Sequence, residues 1–342
     1  MKMNAAQPFL ISAALLAGVL LLSVVVGSVF IQPAVFVELI AHRLAGTAAP
    51  AAARPFDTIL FELRLPRSLL IALVGAALSG SGAAYQGLFR NPLADPYLIG
   101  VAAGGGLGAV LAMSLRWPYT TAGLLAVPVS AFAGALLTVA IVYQMARIGR
   151  SVPVTNLILA GVAVSSFATA LTSFWMINST GEVRRALVWL LGGSTLSGWQ
   201  PVLAALPYVV IGLGTLLTLG HALNVLQFGD EQATQLGLPT ERVRLLIIVV
   251  ATLTTAAAVS FAGIIGFIGL IVPHIVRLVW GGDYRRLLPL AMLNGAALLL
   301  AADILARVVM APQEIPVGII TALAGGPFFL WVLRRAKQQM YW

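Results

Sequence analysis

The polar side chains best placed to bind a partner or do chemistry lie in one segment, residues 228–244, between two long apolar stretches. Gly229-Asp230 is typical of a helix start, while Gly237 is typical of a helix end and Pro239 prevents the helix from continuing. A simple membrane anchor has no use for a short helix of this kind outside the bilayer. We therefore predict that the segment is a contact surface for another protein.

Ionisable residues are rare inside the apolar stretches, and Asp303 is the main exception. Arg307 follows four residues later, so we expect the two side chains to form an ion pair near the outer end of one helix. A carrier driven by protons or sodium needs ionisable groups in the middle of the membrane. Their shortage argues against an ion-coupled secondary transporter, the less favoured alternative, and favours energy supplied from outside the chain.

The residue types exclude several kinds of catalytic or cofactor site. The chain has no cysteine, which excludes disulfides and thiolate metal sites. Its lysines are confined to Lys2 and Lys337, so the phosphate-binding loop G-x-x-x-x-G-K-[ST] is absent and the chain is not an ATPase of that type. The histidines are scattered, at His42, His221 and His274. We therefore predict no enzyme activity and no metal or cofactor bound by this chain.

The composition shows that membrane helices must carry these residues. Hydrophobic residues make up 60% of the chain and charged residues 9%, and the mean hydropathy is +0.99. A soluble protein could not cover its surface with so few charges. A helix needs roughly 20 apolar residues to cross a bilayer. We predict an all-α, polytopic membrane protein, a single transmembrane domain over residues 1–342, with these ten spans: 9–31, 66–89, 97–115, 121–146, 152–177, 202–223, 243–264, 266–280, 286–308 and 316–334.

The cations favour one orientation, with both termini in the cytosol. Of the 20 lysines and arginines, twelve then lie inside: Lys2, Arg90, Arg147, Arg150, Arg242, Arg244, Arg277, Arg285, Arg286, Arg334, Arg335 and Lys337. Eight lie outside: Arg43, Arg54, Arg64, Arg67, Arg116, Arg184, Arg185 and Arg307.

The outer arginines have two interpretations. Arg43, Arg54 and Arg116 are explained by side chains that reach lipid headgroups. Arg64, Arg67 and Arg307 lie at span ends beside turns, where a basic rim could instead bind an acidic protein or steer an anionic solute.

Small residues mark several spans as closely packed. The glycine run at residues 104–108 imitates a dinucleotide-binding loop, but it lies in an apolar span, so we expect helix packing there. The span that Arg67 opens, ending near Gly87, loosely resembles the stretch that Arg244 opens, ending near Gly269. The two run in opposite directions in this topology, so we expect halves arranged like an inverted repeat.

Several longer motifs together resemble the permease family of bacterial importers for ferric siderophores, haem and vitamin B12. They agree in order and spacing from about residue 60 to the C-terminus. The motifs are Arg64-Leu65-Pro66-Arg67, the stretch of residues 75–96 that ends in Asn91-Pro92-Leu93-Ala94-Asp95-Pro96, Gln235-Leu236-Gly237-Leu238-Pro239, residues 266–274 (GFIGLIVPH) and residues 302–307 (ADILAR).

This resemblance implies partners for the chain. Family members form homodimers around a central pathway in the bacterial inner membrane. Two ATP-binding-cassette subunits, which hold ATP and Mg, bind in the cytosol, and a periplasmic binding protein docks outside. The resemblance implies no nucleic-acid partner.

The resemblance also assigns residue roles. The cytosolic coupling helices correspond to residues 229–240, with contacts at Asp230, Glu231, Gln235, Leu236, Gly237 and Leu238. The docking arginines correspond to Arg64, Arg67 and Arg307, and Arg184 matches a short helix near the outer mouth. Val154, Thr155 and Asn156 match the cytosolic gate, although Pro153 and Asn156 replace the serine and arginine of the vitamin B12 member.

A stripe of small residues on the same predicted helix could line a wide pathway, or it could serve ordinary helix packing. Its members are Gly161, Ala163, Ser165, Ser166 and Thr169. For the substrate, we expect an iron chelate, either haem or a ferric siderophore, because the iron branch of the family is broad. Cobalamin is the alternative.

Overall fold

The computed structural model describes residues 6–339 except 28, 30, 48–49, 51–52, 116–120, 150, 180–182 and 194–196. These residues form helices and connecting loops, in agreement with the predicted all-α fold. The α-helices are α1 (Gln7–Val25), α2 (Pro33–Leu44), α3 (Arg54–Asp57), α4 (Leu65–Phe89), α5 (Val101–Ser114), α6 (Thr121–Ala146), α7 (Val154–Asn178), α8 (Val183–Leu190), α9 (Trp199–Thr218), α10 (Gly220–Leu226), α11 (Asp230–Gln235), α12 (Thr240–Ala262), α13 (Ile268–Trp280), α14 (Tyr284–Val308) and α15 (Val317–Gln339).

The number of apolar helices agrees with the prediction. Within the described residues, 7 helices are long and apolar enough to cross a membrane, and three shorter apolar helices accompany them. Each of these ten overlaps one predicted span. The three shorter ones are Val101–Ser114, Ile268–Trp280 and Val317–Val332.

Several predicted boundaries were wrong. The first helix ends at Val25 rather than residue 31, and the span that begins at 66 continues a helical run from Arg54 through a π-helical turn, Thr58–Arg64. The predicted span 202–223 is divided at Leu219 into α9 and α10. Propensity and hydropathy do not show where a neighbouring chain segment ends a helix.

The central helix of the bundle is α4, which packs against α9, α12, α13 and α14. Its glycines let other backbones approach closely. A Cβ on Gly75 would overlap the Gly295 carbonyl in α14, and one on Gly82 would overlap the Gly269 carbonyl in α13. The glycine run in α5 packs in the same way against α6, so the prediction of helix packing there is confirmed.

Two helices are too short to cross the bilayer by themselves. At about 1.5 Å per residue, α5 and α13 each span only about 20 Å. The chain before α5 re-enters the bundle through a 3₁₀ turn, Pro96–Ile99, and Pro96 packs against Gly269. Residues 263–267 separate α12 from α13, in agreement with the two predicted spans 243–264 and 266–280.

A single tyrosine bonds both backbone groups of Ile265 within this break. The Tyr97 hydroxyl donates to the Ile265 carbonyl at 2.9 Å and accepts from the Ile265 N–H at 3.2 Å. Within a bilayer, no water would replace these bonds. Tyr97 therefore joins the turn before α5 to the break before α13.

The two ends of the bundle can be told apart by their contacts. The antiparallel helices α4 and α14 show this, because Arg67 contacts Asp303 at one end and Gly87 lies beside Tyr284 at the other. Of the cations assigned to the two sides, Lys2, Arg116 and Arg150 lie outside the described residues.

At the Gly87 end, Asp283 caps α14. Its carboxylate accepts hydrogen bonds from the Arg285 backbone N–H at 3.0 Å and from Asn224 of α10 at 2.6 Å. Hydrogen bonds from the Arg285 side chain, and then from Asn224, hold the pKa of the Asp283 carboxyl well below its usual range. The cap is therefore charged at neutral pH, and its contribution to stability is complete above the ordinary pKa of an aspartate and is lost as the pH falls from there through the lowered pKa.

The close approach of α4 to α13 can be tested with Gly82→Leu. We expect a destabilisation of at least about 1–3 kcal/mol, because a side chain must displace the Gly269 backbone. The measurement is thermal unfolding of detergent-purified protein. The control is Gly214→Leu in α9, where a Cβ meets nothing within 4 Å. Equal melting temperatures for the two variants would contradict the packing argument.

Candidate functional site

The polar segment after α10 forms the predicted short helix, α11. Gly229 precedes it with a φ of +101°, and Gly237 follows it with a φ of +85°. The Gly237 N–H donates to the Thr234 carbonyl at 2.9 Å, and the Leu238 N–H donates to the Ala233 carbonyl at 3.0 Å. These two bonds close the helix end with a left-handed glycine, so the predicted start and stop are both confirmed.

The outward surface of this knob, residues 228–238, combines apolar and acidic side chains. Phe228 is 64% exposed and Leu236 is 66% exposed, and Glu231 beside them is also exposed. The buried residue Ala233 seats the helix on the bundle. Exposed apolar residues at a polar end of a membrane protein are typical of a protein interface.

Two arginines hold the knob on the bundle. Arg244 of α12 donates to the Asp230 carboxylate at 2.7 Å, and Arg90 at the end of α4 lies 3.8 Å from the same carboxylate. The knob is therefore tied to two of the central helices.

The predicted gate residues form the first turn of α7, at the knob end of the bundle. Thr155 is exposed, whereas Val154 and Asn156 are half-buried. Pro153 precedes the helix and provides no side-chain cap.

One face of α7 lines an open groove of about 820 Å³. Ser165 lies in this groove with further hydroxyl side chains, and Asp95 and Tyr97 face them from the re-entrant turn. The hydroxyl residues are Ser165, Ser166, Thr169 and Ser173. A hydroxyl-lined surface of this kind, on a helix of membrane-spanning length, can bind water or polar solutes.

Some members of the small-residue stripe on α7 serve helix packing, and others line the groove. Gly161 serves packing, because a Cβ there would overlap the Leu98 carbonyl. Ser165, Ser166 and Thr169 line the groove, and Ala163 is exposed.

Sequence reasoning gave no role to Asp95, although its motif was part of the resemblance. The Asp95 carboxylate accepts from the Tyr97 N–H at 2.8 Å and caps the 3₁₀ turn. An aspartate before a proline is a helix-start signal that could have shown this.

At the opposite end, three arginines and two acids form one cluster. Asp303 is fully buried, and its Oδ1 accepts from Nε and Nη2 of Arg67 at 3.1 and 2.9 Å. Arg307 Nε lies 2.9 Å from Asp303 Oδ2, which confirms the predicted ion pair. Glu314 accepts from the other side of Arg67 at 2.6 Å. These side chains and Arg64 line a cavity of about 420 Å³.

Arg64 and Arg307 are not free at the surface, contrary to the expected basic rim. Arg307 donates to the Ser23 and Val26 carbonyls, each at 3.0 Å. Arg64 donates to the Val25 carbonyl at 2.9 Å and also to that of Val29. Because α1 ends early, its last carbonyls need donors, and these two arginines supply them. Of the three arginines, only Arg67 is substantially exposed, at 36%.

Arg184 lies on α8, so the short helix expected there is confirmed. Its side chain is exposed, and it is not among the residues that line either cavity described above. In the part of the chain that the structure describes, no three histidine, cysteine or acidic side chains lie together as a metal site would require.

Comparison with known proteins gives consistent matches. The chain matches the FecCD transport family over residues 15–335. It is 49% identical over 278 residues to a cobalamin import system permease protein of Halobacterium salinarum, covering 81% of this chain and 74% of the relative. It is 41% identical over 288 residues to a hemin transport system permease protein of Yersinia pestis, covering 82% and 84%. A solved metal-chelate type ABC transporter in an inward-facing conformation has a TM-score of 0.81 and 28% identity, covering 97% of this chain and 99% of that one.

The arginine cluster predicts the effect of Asp303→Asn. We expect a loss of about 3–5 kcal/mol in stability, because Arg67 and Arg307 lose their shared buried counter-ion. Thermal unfolding in detergent measures it. The control is Glu314→Gln, whose carboxylate is 42% exposed and should contribute less than about 1 kcal/mol. An Asp303→Asn protein as stable as the control would contradict the role of the buried carboxylate.

Proposed function

Because the chain belongs to the FecCD transport family of ABC importer permeases, we propose that it forms the membrane path for a metal chelate that a periplasmic binding protein delivers. The observation that carries the proposal is the exposed knob, with Phe228 and Leu236 directed away from the bundle. A membrane protein with such an exposed surface can be bound and moved by a partner outside the bilayer.

The partner at the knob is an ATP-binding-cassette subunit. Its contact surface on this chain comprises Asp230, Glu231, Gln235, Leu236, Gly237 and Leu238. The exposed apolar side chains and the exposed Glu231 support this assignment. ATP and Mg are held by two such subunits, and this chain hydrolyses no ATP.

Two copies of the chain surround the pathway. The support is α7, which buries only Leu157, Gly161, Ala168 and Thr172 within the bundle while its hydroxyl face borders the open groove. A second copy would shield this polar face from lipid and complete the walls. Val154, Thr155 and Asn156 then form the cytosolic gate, and Ser165 lines the pathway. Arg184 stands near the outer mouth.

Outside, the binding protein docks on the arginine cluster. Arg67 makes the contact, because it is the arginine of the cluster with a substantially exposed side chain. Arg64 and Arg307 position this surface from below through their bonds to the end of α1. The chain lies in the bacterial inner membrane with both termini in the cytosol, so that the knob faces the ATPases.

The transport cycle is alternating access. ATP binding and hydrolysis in the partners move the knob, and that motion opens one side of the pathway as the other closes. Helices α7 and α15 are the moving walls.

The substrate is an iron chelate, such as haem or a ferric siderophore, or cobalamin. The hemin permease relative supports the first, and the higher identity of the cobalamin permease relative supports the second. A binding assay of the cognate periplasmic protein with haem, ferric siderophores and cobalamin decides between them.

Uptake of that ligand into proteoliposomes with the ATPases and internal ATP tests the transport function. Uptake driven by an ion gradient without ATP would contradict it.

The knob assignment predicts the effect of Glu231→Arg and of Gly237→Trp. The first reverses an exposed charge, and the second places a large side chain where φ is +85°. We expect either loss of ATPase assembly or ATP hydrolysis without uptake, measured by co-purification and by transport per ATP. Exposed Arg286→Glu, which lies outside the knob, is the control. Normal coupled transport by both knob variants would refute the assignment.

The docking assignment predicts weaker binding-protein affinity for Arg67→Gln. We expect a loss of about 1 kcal/mol, with binding of the wild type weakening as salt is raised. Surface-binding measurements on reconstituted complexes test this. Arg54→Gln is the matched control, since Arg54 is an exposed arginine at the same end but outside the cluster. An unchanged affinity for Arg67→Gln would remove the docking role.

A further inference from the structure

A buried arginine joins the knob to the gate. Arg244 belongs to the first turns of α12 and is only 6% exposed. A guanidinium at this depth must be held by specific partners, because its charge is costly to remove from water. The partners of Arg244 come from three different places in the sequence.

The three partners surround one guanidinium group. Nη2 donates to the Asp230 carboxylate at 2.7 Å. Nη1 donates to the Glu241 carboxylate at 2.9 Å and to the Val152 carbonyl at 3.5 Å. Glu241 lies on the same helix as Arg244, so that bond stays within α12. The other two bonds leave α12 in different directions.

Each of these two bonds leads to a part of the proposed transport machinery. Asp230 is the first residue of α11, the helix of the knob. Val152 lies two residues before α7, whose first turn is the proposed gate. Before Val152, Ile148 and Ser151 exchange backbone hydrogen bonds at 2.9 and 3.1 Å. After it, Pro153 alone separates Val152 from α7, so a displacement of Val152 acts directly on the start of that helix.

Among the described residues, a second arginine, Arg90, also approaches Asp230, at 3.8 Å, but it belongs to the end of α4 rather than to α12. Lysine could replace the charge of Arg244 but not its planar fork, which contacts two partners at once.

We propose that Arg244 is a positioning residue that transmits movement of the knob to the first turn of α7. Movement of Asp230 pulls one arm of the guanidinium, and the other arm displaces the Val152 carbonyl and with it the gate. This inference rests on the proposed function, because it assumes that a partner moves the knob. Arg244 itself is too buried to touch that partner.

The test uses a reporter at the gate. The chain contains no cysteine, so Thr155→Cys places a single thiol at an exposed position of the first turn of α7. Its maleimide labelling rate is measured in the assembled complex with the ATPases, with and without ATP and vanadate. In the otherwise wild-type chain, we expect the labelling rate to depend on nucleotide.

Arg244→Gln should reduce this nucleotide dependence by about fivefold or more while ATPase assembly is retained. Arg244→Lys should reduce it similarly, because the ammonium cannot bridge Asp230 and Val152 as the fork does. Glu241→Gln is the matched control. It also removes one unit of charge at this site, that of a carboxylate bonded to Arg244, but it affects only the bond within α12. We expect that control to keep the nucleotide dependence.

The possible outcomes distinguish a failure of the proposed function from a failure of the inference about Arg244. If the wild-type reporter does not respond to nucleotide, the proposed function fails. If the wild type responds and the Arg244→Gln complex responds equally, the inference alone is overturned. If Arg244→Gln does not assemble, Arg244→Lys decides: a reduced response supports the inference, and a full response in that variant overturns it.

Discussion

The structure depends on one constraint, which is that backbone groups inside a bilayer find no water to bond. Unbroken helices satisfy it automatically, but this chain interrupts its helices at several points. At two of these interruptions, side chains from distant parts of the sequence provide missing backbone bonds. Tyr97 does so for Ile265, and Arg64 and Arg307 do so for the end of α1.

The proposed functional surfaces form at the same places as these side-chain hydrogen bonds. The break before α13 and the turn before α5 meet at Tyr97, and the hydroxyl face of α7 borders the same place. The end of α1 lies in the arginine cluster, so the proposed docking surface is built on a helix-capping arrangement. A permease needs irregular backbone where a solute passes, and such backbone is tolerated only where protein satisfies it.

The two ends of the bundle differ in how they are held. At one end, the buried Asp303 carboxylate fixes Arg67 and Arg307, and the central α4 begins there. At the other end, the knob is attached by ion pairs of the half-exposed Asp230 and rests on few buried residues. One end fixed by a buried carboxylate and the other attached through a half-exposed one suit the proposed function, in which a partner moves the knob. The close glycine contacts of α4 provide the fixed body against which that movement takes place.

The sequence by itself determined the features that depend on local spacing. Runs of apolar residues predicted the positions of ten apolar helices, Gly229 and Gly237 predicted the limits of the knob, and a spacing of four predicted the Asp303–Arg307 pair. The tertiary structure alone decided which charges are buried and which groups meet. The expected rim arginines Arg64 and Arg307 turned inward because α1 stops early, and Arg244 reaches Val152 across 92 positions of sequence. The physical reason is that local preference acts within a turn or two of helix, whereas the partner of an unsatisfied buried group is set by the packing of the whole bundle.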